Sequence, residues 1–268
     1  MGHLYVRHDT LSAACAVGHR RGRSLPAAWG VVPEEKFVYL TDLERLLAGV
    51  DVLEGLPHRE LRALTSGITL RRLGRGKAMH LGPETHLRQV VLLLEGRART
   101  CERGDPERTV TALVAEAGTV VGVTGMAENA RGLTVEALEE ALLGFLGREV
   151  FEGLLLRNPG VGLRTVGVLA ERMVVLEGRL NDLAYKGVRE RLAAQILRLA
   201  EGEGVVDPDG VAIPTPYTHR QLATMIGANR EAVTRTLKTL RERRALEIRE
   251  RRILVVDSEA LAREAEGG

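Results

Sequence analysis

QLATMIGANREAVTRTL, residues 221–237, is two helical runs separated by a glycine, and that glycine decides how the end of the chain folds. Thr218 and Gln221 form a Thr-x-x-Gln capping box, in which each side chain satisfies an N–H left without a partner in the first turn. Ala223, on the inner face of that helix, is small enough to let a second helix approach. Gly227 ends the helix, because glycine adopts the left-handed cap conformation cheaply. Asn229 then caps a second helix, on which Val233 and Leu237 are spaced to pack back onto the first. Helix, short turn with glycine, helix predicts a helix-turn-helix. Further on, LEI at 246–248 and ILVV at 253–256 bracket Arg249-Glu250-Arg251-Arg252, the pattern of a short hairpin with a basic tip. The two together predict a winged helix-turn-helix.

On the second helix Arg230, Glu231 and Arg235 fall on the N-terminal, outward part, from which side chains enter a DNA major groove. Arginine bonds a guanine edge in bidentate fashion, and glutamate accepts from a cytosine amino group. The alternative is a Glu231–Arg235 surface pair, worth only about 0.2–0.5 kcal/mol. From Val211 to Arg252 there are ten Arg or Lys against four Glu, although the whole chain carries a formal charge of only +2. That local excess either steers a polyanion or forms an ordinary solvated face. Arg251 and Arg252 at the hairpin tip are placed to grip backbone phosphate.

Upstream, Asn158-Pro159 is a helix start, since proline fits the first turn, where its missing N–H costs little. Val166, Leu169, Met173, Leu176, Leu180 and Leu183 then step by 3, 4, 3, 4 and 3, an a/d seam flanked by Glu171, Arg172, Glu177 and Arg179. A seam this narrow predicts pairing with a second copy, a homodimer; packing on the chain's own upstream domain is the other reading and is compatible with it. Residues 40–61 are helical in period, and after them ITLRRLGRGKAMHLG, QVVLLLEGRARTCE and RTVTALVAEAGTVVG are short β-rich runs broken by glycine. They predict an all-β barrel or sandwich. TVEALEEALLGFLG at 134–147 fits helix or strand by period alone, and the strands before it favour strand. The expected class is α+β. It divides into a loose extension over 1–32 with a basic run at 19–24, a β-barrel sensor domain over 33–157, a dimerisation helix over 158–188 and a winged helix-turn-helix domain over 189–268.

Composition excludes several functions. Cys15 and Cys101 are too few for a disulfide framework, a zinc cluster or an iron–sulfur site. No apolar run approaches the ~20 residues of a spanning helix, and no signal-peptide pattern opens the chain, so a cytoplasmic protein without membrane contact is expected. A P-loop, a His/Glu metal motif and framed paired carboxylates are all missing, so neither catalysis nor a metal is expected. Cys101 and His80 are conceivable haem ligands, and Cys101 a redox switch, but a single Cys and a scattered His are more often structural.

NREAVTR (229–235) closely resembles the Ser-Arg-Glu-Thr-Val-Gly-Arg stretch of the CRP/FNR transcription regulators, and the resemblance runs from about Leu40 to Val256. It implies a cyclic-nucleotide-binding-like β-barrel (jelly roll), a long dimer helix ending in NDLAYKGVRERLAAQILRLA, and the winged module. It also implies double-stranded DNA with TGTGA-like inverted half-sites and RNA polymerase as partners. Arg230, Glu231 and Arg235 would then read bases, while Arg220, Gln221, Asn229 and Lys238 lie where the family contacts phosphates. In cyclic-AMP-binding members a cassette runs Gly-Glu-x-x-Leu, followed by Arg-Ser. GVTGMAENARG at 122–132 matches it at Gly122, Gly125 and Arg131, but Val123 replaces the ribose-binding glutamate and Gly132 the serine. Leu176 and Glu177 stand where cyclic-AMP-responsive members carry a Thr-Ser pair facing the purine. A nucleotide phosphate would still pair with Arg131, whose other reading is a structural ion pair. The ribose hydroxyl, facing an apolar side chain, would go unsatisfied at a cost of about 1–3 kcal/mol. The expectation is a regulator that does not depend on cyclic AMP. The alternatives are a cyclic-AMP-responsive regulator and a nucleotide-sensing module acting on a protein partner.

Overall fold

The computed structural model describes residues 40–102 and 110–267, so the extension expected over 1–32 lies outside the described residues. Helices α1 (Leu40–Ala48) and α2 (His58–Thr65) lead into β1 (Ile68–Leu73) and β2 (Ala78–Leu81). After the single turn α3 (Pro83–His86) come β3 (Gln89–Glu95), β4 (Arg97–Glu102), β5 (Thr111–Glu116), β6 (Thr119–Val120), β7 (Leu133–Ala137) and β8 (Ala141–Gly147). The eight strands form two antiparallel sheets, ordered β1-β8-β3-β6 and β2-β7-β4-β5, a jelly-roll arrangement of two layers rather than one closed ring. The ambiguous stretch at 134–147 supplies β7 and β8.

The first sheet is apolar on both faces. Val91 and Leu93 of β3, with Leu143 and Phe145 of β8, face the second sheet and meet Val135 and Ala137. Val90, Leu92, Leu94, Leu142 and Leu146 point the other way, onto Leu47, Leu61, Phe151 and Leu154 of the flanking helices. This is why VVLLL reads as an unbroken apolar run instead of alternating. The second sheet is apolar only inside. Along β4, Ala98 enters the inner core, whereas its neighbours Arg97 and Arg99 reach residues of the C-terminal module.

Helix α4 (Arg148–Arg157) is followed by α5 (Pro159–Tyr185), with Pro159 in its first turn. At 27 residues α5 is about 40 Å long. It stops at Tyr185, short of the expected 188, because the chain turns extended at Lys186 and Gly187 before α6 (Val188–Glu203). Three arginines spaced along α5 donate to backbone carbonyls upstream: Arg164 to Val52, between α1 and α2, at 3.4 Å, and in the strands Arg172 to Val120 at 2.5 Å and Arg179 to Ala112 at 2.8 Å. Burial lowers the proton affinity of the Arg172 and Arg179 guanidiniums. Gripped in this way, α5 leaves Val166, Leu169, Met173, Leu176, Leu180 and Leu183 between 37% and 65% exposed.

The chain ends with β9 (Val205–Asp207), β10 (Gly210–Ile213), α7 (His219–Ile226), α8 (Arg230–Glu242), β11 (Leu246–Arg249), β12 (Arg252–Val255) and α9 (Ser258–Glu266). The four strands form one sheet, ordered β11-β12-β10-β9. Leu192 and Ile196 of α6, Leu222 and Ala223 of α7, Val233 and Leu237 of α8, and Ile253 and Leu261 share one core, which Leu138 of the barrel joins. Among the described residues, no helix is long and apolar enough to cross a membrane.

Candidate nucleic-acid interface

The two helices α7 and α8 are set by local chemistry. Thr218 Oγ1 accepts from the Gln221 N–H at 3.2 Å, and Gln221 Oε1 accepts from the Thr218 N–H at 2.9 Å, closing the capping box. Gly227 sits in the left-handed region, φ 61°, where a side chain would be strained. Asn229 Oδ1 accepts from the Ala232 N–H at 2.7 Å and starts α8. With Val233, Leu237 and Leu240 buried, the opposite face of α8 is forced outward.

Arg230, Glu231, Arg235 and Lys238 all lie on the exposed part of α8. Among the described residues no ion pair joins Glu231 to Arg235. Lys238 pairs with Glu242 at 3.8 Å, but both side chains are well exposed, and such pairs contribute little. Arg220 is exposed on α7. Gln221 is placed otherwise than the resemblance implies. Its oxygen is used in the cap and its Nε2 donates to Glu136 Oε1 on β7 at 3.0 Å, so both ends of the amide are engaged.

That bond belongs to a polar junction between the second sheet and the C-terminal module. Buried Arg99 donates to Glu136 at 2.6 Å, to Thr111 at 2.9 Å and to Thr224 of α7 at 2.5 Å. Arg97 pairs with Glu203 of α6 and donates to Thr215 and to the Tyr217 hydroxyl. The Tyr217 hydroxyl donates back to Glu203 at 2.5 Å, and burial raises its pKa. None of these residues stands out in the sequence. The available signal is the alternation Arg97-Ala98-Arg99, an amphipathic strand whose polar face needs something to meet.

The hairpin β11–β12 turns through Glu250 and Arg251, at φ 49° and 66°. Neither is glycine, and the left-handed region costs an ordinary residue about 1–2 kcal/mol. Arg251 and Arg252 are exposed. Arg249, at the base of the tip, is held by Asp209 at 2.5 Å and by Glu247 at 2.9 Å. Only part of the basic tip is therefore open.

The expected effector cassette is built differently from its appearance in sequence. Gly122 and Gly125 are required by packing: a Cβ on the first would strike the Val91 side chain, and on the second the His86 carbonyl. Val123 is buried in the core outside the first sheet, alongside Val52 and Phe151. His86 is buried beneath, its Nε2 3.1 Å from Thr124 Oγ1, and burial lowers its pKa. Arg131 is exposed, as are Leu176 and Glu177 on α5.

Residues 190–264 match the family model of the Crp-like helix-turn-helix domain. The global nitrogen regulator of Synechococcus elongatus is 25% identical over 209 residues, covering 77% of this chain and 94% of that protein. The CRP-like cAMP-activated global transcriptional regulator of Mycobacterium tuberculosis is 22% identical and matches over 83% of this chain and 100% of its own length. Among solved structures, a CRP-family transcriptional regulator from Thermus thermophilus is 25% identical with a TM-score of 0.59, covering 73% of this chain and 96% of that one. Over most of its length the chain is therefore similar to CRP-type transcription regulators, and its residues 190–264 carry a Crp-like helix-turn-helix domain. The chain is a DNA-binding transcription regulator of the helix-turn-helix type, and the matched domain contains α7, α8 and the β11–β12 hairpin.

Proposed function

We propose that the chain acts as a homodimer that binds an inverted repeat with TGTGA-like half-sites, and that it does so without depending on cyclic AMP. The observation that carries this is the outward face of α8, where Arg230, Glu231 and Arg235 stand exposed on a helix whose other face is packed. In this reading α8 lies in the major groove and α7 crosses the backbone. Arg230 and Arg235 bond guanine edges, Glu231 accepts from a cytosine amino group, and Arg220, Asn229, Lys238, Arg251 and Arg252 approach phosphates. Gln221 joins them only if its bond to Glu136 opens.

Dimerisation is supported by the seam on α5, an apolar stripe left exposed while arginines hold the helix from the barrel side. A second copy along that seam would set two α8 helices one DNA turn apart, about 34 Å. Independence from cyclic AMP is supported at two positions. Val123, where a ribose-binding glutamate would stand, is used in the core. A serine at Gly132 would bring its Cβ to 2.8 Å from the Leu81 carbonyl oxygen. Regulation would follow from contact with RNA polymerase beside the operator.

A gel-shift titration with a TGTGA-N6-TCACA duplex tests the proposal. Wild type should prefer it to a scrambled duplex, with affinity falling steeply as salt rises. Arg230→Ala should lose about 1–3 kcal/mol of that preference per half-site. Equal affinity of both proteins for both duplexes overturns the DNA reading. Tightening by saturating cyclic AMP overturns the independence.

A further inference from the structure

His219 opens α7 directly after the Thr218 cap, and its ring Nδ1 lies 2.8 Å from Thr234 Oγ1 on α8. Thr234 Oγ1 also donates to the Arg230 carbonyl at 2.9 Å. A hydroxyl carries one proton. With that proton directed at Arg230, the Thr234 oxygen can only accept from the imidazole, so Nδ1 must be the protonated nitrogen. In the neutral ring Nε2 is then a bare acceptor. Phosphate oxygens also only accept, so a neutral His219 has nothing to offer a DNA backbone.

The first helix of a helix-turn-helix crosses that backbone, and helix N-termini are where its phosphates are held. His219 stands at such a terminus, half-exposed and followed by exposed Arg220. On α8, Arg230 lies one turn before Thr234 and Lys238 one turn after it, with Arg235 and Glu231 beside them. The carboxylates on the other elements against α7 are already engaged: Glu116 of β5 and Glu203 of α6 with Arg97, and Glu136 of β7 with Arg99 and Gln221. A backbone phosphate set against the ring would add an acceptor that only a hydrogen on Nε2 can meet.

We infer that His219 is a proton-coupled phosphate contact. On binding DNA the ring takes one proton from solvent at Nε2, which then donates to a backbone phosphate while Nδ1–H stays on Thr234. The inference rests on the DNA-binding reading above and adds to it a dependence on pH that arginines and lysines do not produce.

The test is fluorescence anisotropy on the full chain with the inverted-repeat duplex, at fixed salt, from about pH 5.5 to about pH 8.5. Wild-type affinity should tighten as pH falls, with uptake of about one proton per subunit. His219→Gln, which keeps a donor but does not titrate, should bind with a flatter profile. Parallel profiles for the two proteins overturn the inference alone, whereas equal binding to repeat and scrambled duplexes overturns the DNA reading and the inference together. Long-range proton–nitrogen spectra of the free protein give a readout that needs no DNA. The neutral ring should carry hydrogen on Nδ1, that signature should be lost in Thr234→Val, and a wild-type ring protonated on Nε2 overturns the inference.

Discussion

Two sets of arginines flank the DNA-binding module and meet opposite fates. Arg230, Arg235, Arg251 and Arg252 are exposed on the outward side of α8 and the hairpin. On the outer face of the second sheet Arg99 is buried and Arg97 part-buried, each matched by a carboxylate and by at least one hydroxyl of that module. An exposed guanidinium keeps its water until a phosphate displaces it, and salt weakens that exchange. A buried one must be matched at its N–H groups or it destabilises the fold, and salt hardly reaches it. On the proposed reading the first set waits for DNA. The second is consumed in fixing where the module sits against the barrel.

The largest effect is expected where the buried set is broken. Arg99→Met leaves Glu136 facing an apolar chain and removes the donor to Thr224, so the protein should lose about 3 kcal/mol. Thermal unfolding would read this as a fall in Tm of roughly 6–12 °C. Adding Glu136→Leu should recover much of the loss, because an unpaired carboxylate costs more than a missing pair. A loss below about 1 kcal/mol would place Arg99 with the surface set instead.

At the hairpin tip the two sets can be separated in one residue. Arg251 is exposed but stands at φ 66°, as Glu250 beside it stands at 49°. Arg251→Gly removes strain of about 1–2 kcal/mol and adds unfolded-chain entropy, for a net gain in stability of up to about 1 kcal/mol. The same change should weaken DNA binding and lower the slope of log affinity against log salt by about one per subunit. A stabilised variant with unchanged salt slope would remove Arg251 from the ligand-facing set.

The reading module was legible because its rules are local. The capping box, the left-handed Gly227 and the spacing of Val233 and Leu237 fall within twenty residues, and each has one physical meaning. The two-faced burial of β3 was legible as an apolar run. The fate of each arginine was not, since only four of the 38 basic residues are lysine and arginine is everywhere in this chain. Arg99 is buried by Thr224, 125 positions away, and Gln221 is turned by Glu136, 85 positions away. The carbonyl bonds of Arg164, Arg172 and Arg179 were hidden for the same reason. At the cassette, a glycine needed for close approach of chains looks in sequence like one needed for a phosphate. In the structure a Cβ on Gly122 would strike Val91 and one on Gly125 the His86 carbonyl, which gives both a packing role.

The smallest effect tests the buried set at its weakest pair. Asp51 Oδ1 accepts from the Val52 and Val120 N–H groups at 2.8 and 3.1 Å, while Oδ2 lies 3.8 Å from Arg172 of α5. Burial nevertheless raises its pKa above the ordinary carboxylate value, outweighing the two amides and the arginine. A carboxyl that holds its proton more tightly folded than unfolded binds more protons in the folded state between the two values. Stability then falls as pH rises through that window, and the ionised group is a cost at neutral pH. Asp51→Asn keeps the oxygen that serves both amides, and Arg172 keeps the Val120 carbonyl. The variant should therefore match wild type at pH 7 within about 0.5 kcal/mol and lose part of the decline that begins above the ordinary carboxylate value of about 4. Urea unfolding across that range measures both. If the variant instead loses stability that wild type gains as pH rises, the Asp51–Arg172 pair behaves like Arg99–Glu136, and the half-buried arginines of α5 are held by charge rather than by backbone carbonyls.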